Sequence, residues 1–193
     1  MSAQTYERVI RFFLLALALM PLILFSFLPF PYTSSKAFAL KILVGLALLT
    51  YLVGILRGSL PWRISFPRSL FFKLVSAFFL MFAVSTVFAS NPYHAFWGNM
   101  ERGEGFLVLL FFAVFFLLAL RFFTRETWLR FFKLSLAAGL IVIFYAWLQY
   151  LGVQSFPFAF SPSARPGSFA DNPAFLASYL VLLLLPAGAV FAH

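Results

Sequence analysis

Polar positions along this chain fall in short clusters, and between them lie long apolar runs. Six runs, near residues 10–28, 38–56, 70–89, 105–121, 134–151 and 174–192, have the roughly 17–25 residues a helix needs to cross a hydrocarbon core of about 30 Å. A membrane barrel would alternate apolar and polar residues with a period of two. These runs stay apolar throughout, and a helix satisfies its own backbone in lipid. The pattern predicts an all-α, polytopic transmembrane helical bundle of about six spans, a single domain over residues 1–193. The first run follows Arg8 and Arg11 as a signal peptide would, but it continues to Leu28 and ends in LPFPYTSSK without a small-residue cleavage site. It reads as a retained first span.

Composition agrees. Apolar residues make up 64% of the chain and charged ones 10%, with a mean hydropathy of +1.01, against about half and a quarter in soluble domains. The absence of cysteine excludes disulfides and thiolate metal ligands. A net charge of +9 would favour nucleic acid in a soluble chain; here it describes topology, and no nucleic-acid partner is expected. One side of the predicted bundle collects Arg8, Arg11, Arg57, Arg63, Arg68, Lys73, Arg121, Arg125, Arg130 and Lys133, and the other has only Lys36, Lys41, Arg102 and Arg165. Cytoplasmic loops concentrate such cations, so both termini are expected inside. The basic loops, with Trp128 at headgroup depth in a short interfacial helix, then serve as anchors and contacts for membrane lipids. Function is sought on the outer face.

Two clusters stand there. NPYHAFWGNMERGEG, residues 91–105, carries Glu101, Arg102 and Glu104 among Trp97, His94 and three glycines. Aromatics belong at an interface, and acids suit the positive start of the fourth span. Arg102 does not, and Gly103 and Gly105 weaken a helix start. A guanidinium held between carboxylates can offer its planar fork to phosphate, and that is the alternative reading. With a lone His outside and no Cys, no metal site and no cofactor are expected.

In SPSARPGSFADNPAFLASYL, residues 161–180, Asn172 and Pro173 are ordinary helix-start residues. Arg165 lies between Pro162 and Pro166, ahead of that helix start, where an anion is favoured, and Gly167 would let a phosphate approach the backbone. Lys41 lies inside the second span, where a charge marks a site unless its long stem snorkels to the interface.

The F-W-x-N-x-E-R-x-E-G pattern before the fourth span, Lys36 and Lys41 at the second, and the R-x-G-S-F-x-x-N-P-x-x-L-A-x-Y-L pattern entering the sixth together resemble the N-terminal half of the bacterial O-antigen ligase and polymerase (Wzy-like) family. The resemblance implies an inner-membrane glycosyltransferase of polysaccharide biosynthesis in the cell envelope. Such an enzyme takes a glycan from an undecaprenyl diphosphate carrier and joins it to an acceptor sugar or lipid at the periplasmic face. It implies that Arg165 meets the diphosphate, with Arg102, Glu101 and Glu104 in the same cavity, and Gly167, Asn172, Lys41 and Trp97 as further substrate contacts. Where the family commonly has Gly before Asn-Pro, this chain has Asp171. Relatives continue into further spans and a periplasmic loop bearing a histidine and an arginine central to transfer. The chain is therefore expected to be part of a longer protein, inactive alone. A carrier-lipid or polysaccharide transporter would place charges midway along its spans, which are nearly free of them; a non-catalytic scaffold subunit would need only the helices.

Overall fold

A computed structural model of the chain describes residues 2–28, 30–62, 69–99, 105–152, 165–170 and 172–192. These are helical, with no strand among them: α1 (Ala3–Ala16), a 3-10 helix (Leu17–Leu22), α2 (Pro31–Leu56), α3 (Leu70–Val87), α4 (Pro92–Trp97), α5 (Phe106–Phe122), α6 (Arg125–Tyr150), a 3-10 turn (Ser168–Ala170) and α7 (Pro173–Phe191). Four helices, α2, α3, α6 and α7, are long and apolar enough to cross a membrane, and α5 is apolar but one residue shorter, at 17.

Two predicted spans differ in form. The helix expected over 10–28 starts at Ala3, is α-helical only to Ala16 and tightens into a 3-10 segment containing Pro21. Proline lacks the N–H that an α-helical bond would use and crowds the preceding turn. The fifth span and the interfacial helix before it form one uninterrupted helix, α6, of 26 residues and about 39 Å. Thr124 starts it, its hydroxyl accepting the Thr127 N–H at 3.3 Å.

The core is built from α1, α2 and α5. Tyr6, Ile10 and Leu14 recur every four residues on α1, and Leu40, Val44, Ala47 and Tyr51 at three- and four-residue steps on α2, so each helix turns one stripe inward. Leu118 and Phe122 of α5 close the cluster, the Phe122 ring lying 5.5 Å from that of Tyr51. In lipid, where apolar side chains gain nothing by leaving their surroundings, such close fits and hydrogen bonds supply the cohesion. One of these bonds runs from Arg11 Nε to the Phe122 carbonyl at 2.8 Å, with Glu7 steadying the guanidinium at 3.1 Å. The last carbonyls of a helix have no partner within it, and a cation there also suits the dipole.

These contacts bring the start of α1 together with the ends of α2 and α5 and the start of α6. Arg8, Arg11, Arg57, Arg121 and Arg125 therefore gather at one end of the bundle, as their sequence positions predict. At the other end lie the starts of α2 and α7, the end of α6 and the 3-10 turn.

Candidate functional site

The turn before α7 is heavily bonded to its neighbours at the second end. Ser168 is 1% exposed, and it adopts a left-handed backbone (φ 50°) that residues with a Cβ seldom take. Three groups hold it there. The Ser168 N–H donates to Gln149 Oε1 at 2.8 Å, its hydroxyl donates to the Val142 carbonyl at 2.7 Å, and the neighbouring Phe169 ring sits 4.8 Å from that of Tyr145. All three partners project from the last turns of α6. From α2, the Lys36 ammonium donates to the Phe169 carbonyl at 2.7 Å and also to the Tyr32 carbonyl one turn earlier on its own helix. A further bond ties the same region of α2 back to the chain entering it, from the Phe25 N–H to the fully buried Ser35 hydroxyl at 2.8 Å.

The sequence candidates fall around this turn. Arg165 is exposed just ahead of Pro166. Gly167 is buried, and its carbonyl accepts the Ala170 N–H at 3.0 Å, so it is enclosed by the turn. Asn172 caps α7, its Oδ1 accepting the Ala174 N–H at 2.8 Å. Lys41 is half-buried; five residues on from Lys36, it points about 140° round the helix from it. The arrangement carries a cation on a braced backbone beside the positive end of a helix, a combination suited to a phosphate.

The second cluster lies elsewhere. Asn91 caps α4 by accepting the His94 N–H at 3.0 Å, and Pro92 takes its first position, the same grammar that starts α7. Trp97, half exposed, packs edge-on against Phe96 at 5.1 Å. Gly98 turns the chain with a φ of 77°. Gly105 then lies so close to the backbone of Phe96, Trp97 and Gly98 that a Cβ would overlap it. Glu101, Arg102 and Glu104 lie outside the described residues. Between α3, α4 and α5 opens a cleft of about 460 Å³, lined by Phe82, Phe106, Leu109 and Phe112 and by Ser85 and Thr86.

Among the described residues α4 touches only α3 and α5, whereas the turn at Ser168 touches α2, α6, α7 and the 3-10 helix. The structure thus does not bring Trp97 to the Arg165 turn. Sequence reasoning passed over Gln149, and gave Ser168 and Lys36 no role beyond their places in the motifs and the charge pattern. A signal for Gln149 was present: it is a polar side chain near the end of an apolar run, a position where polarity is expensive and usually paired. No family model, no curated protein and no solved structure matches the chain.

Proposed function

We propose that the protein is a bacterial inner-membrane glycosyltransferase of the O-antigen ligase and polymerase type. It takes a glycan from undecaprenyl diphosphate and transfers it to an acceptor sugar or lipid on the periplasmic side. The observation that carries this reading is Arg165 on the braced turn before α7, at the end of the bundle opposite the arginine-rich one. With that basic end in the cytoplasm, the turn faces the periplasm and both termini lie inside. The chain then crosses six times. Its first crossing combines α1 with the 3-10 helix over Ala3–Leu22, a length of about 33 Å.

The chemistry accounts for the cation. As the anomeric carbon leaves its carrier, negative charge grows on the departing diphosphate. A guanidinium and a helix start already in place stabilise that charge without having to reorganise. Glu101 and Glu104 are the acids nearest in sequence to the second arginine, suited to steady it or to take a proton from the acceptor hydroxyl.

The test is transfer from lipid diphosphate glycan in vesicles containing the full-length protein. Arg165→Ala should slow transfer by about a hundredfold, and Arg102→Ala should also lower it. Wild-type rates in both variants would remove the assignment.

A further inference from the structure

We infer that Lys36 is a positioning residue, its ammonium tying the turn before α7 to α2 so that Arg165 and the start of α7 meet one lipid diphosphate together. This rests on the phosphate-binding reading above.

Lysines near helix ends ordinarily run their stems along apolar surface and leave the ammonium in water. Lys36 does otherwise. Its ammonium is turned inward onto two carbonyls, Tyr32 on its own helix and Phe169, 133 residues further along the chain. The first contact fixes the stem and the second makes a bridge. Compactness favours lysine here, because a point-like ammonium can donate to two carbonyls on different helices, whereas a planar guanidinium fork is shaped for carboxylates and phosphates.

The geometry of the turn gives the bridge its importance. A non-glycine residue in the left-handed region persists only where its surroundings over-determine it. Gln149, Val142 and Tyr145 hold Ser168 and Phe169 from one side, all from α6. Lys36 holds it from α2. The α6 contacts fix the turn's conformation, and Lys36 fixes where it sits across the bundle. Arg165 is three residues upstream of Ser168 with Pro166 between, so a shift of the turn carries the guanidinium with it.

The test uses the protein in nanodiscs of uncharged lipid, with undecaprenyl diphosphate as the probe and amide hydrogen exchange read in parallel. In Lys36→Met, the Ser168 and Ala170 amides should exchange about tenfold faster while those of Val44 and Ala47 in the core stay protected, and affinity for the probe should fall by about tenfold. Lys36→Arg, which keeps charge and donors, should recover part of both. Should Lys36→Met fail to fold, Lys36→Gln, a neutral donor on a shorter stem, should show the same changes. Unchanged exchange at Ser168, or faster exchange with wild-type affinity, overturns the role given to Lys36. An Arg165→Ala protein that binds the probe as wild type does removes the phosphate reading itself, and with it the purpose of the bridge.

Discussion

Gly105 and Gly139 both sit where a methyl group would overlap a neighbour, and they differ in what it would strike. At Gly139 the obstacle is a terminal methyl of Leu183 on α7, which can rotate aside. At Gly105 it is the backbone of Phe96, Trp97 and Gly98, which cannot move without undoing the end of α4. Gly105→Ala should therefore cost about 1–3 kcal/mol and Gly139→Ala clearly less, as read from reversible unfolding in detergent; equal losses would mean that α4 yields easily. At this scale the sequence was legible wherever a residue acts on its own backbone. Asn172 and Pro173 announced α7, and Asn91 with Pro92 starts α4, a helix of only six residues, in the same way. Ser168 was illegible for the opposite reason: its conformation is imposed by Gln149 and Val142, remote in sequence and adjacent only after folding.

Among the long helices, α3 is the one the others do not enclose. None of its residues is buried, and Leu70, Phe71, Leu74, Leu80 and Met81 are broadly exposed. Its described neighbours are α4 and α5 alone. Substitution there should matter little: Leu80→Ala should cost under about 1 kcal/mol, against about 2–5 kcal/mol for Ile10→Ala in the α1–α2–α5 core, with the same unfolding measurement deciding. Apolar length alone could not separate these two kinds of helix. Residues 70–89 look as promising a core element as residues 38–56, and the difference is that α2 carries a fitted stripe, Leu40, Val44, Ala47 and Tyr51, against which α1 and α5 pack. The break at Pro21 and the fusion of the interfacial helix into α6 were boundary effects of the same kind, set by one proline and by the lack of any breaker after Thr124.

For the whole molecule, the gathering of cations at one end was readable from loop charges alone, because charge segregation along the membrane normal needs no knowledge of which helices touch. The absence of native cysteine makes it straightforward to test. In cells, Tyr93→Cys should react with an impermeant maleimide from outside, and Trp62→Cys only after the membrane is opened; both side chains are well exposed. The reverse pattern would invert the bundle and withdraw the proposed function. What loop charges could not show is that the end of the bundle away from those arginines is joined by a bond between Lys36 and Phe169. That bond has a consequence for biogenesis. Chains emerge from the ribosome amino end first, at about 5–20 residues per second, so α2 enters the bilayer many seconds before residue 169 exists. Throughout that interval the Lys36 ammonium must find shelter in headgroups or in the insertion machinery, and this end of the bundle takes its braced form only when the turn before α7 arrives.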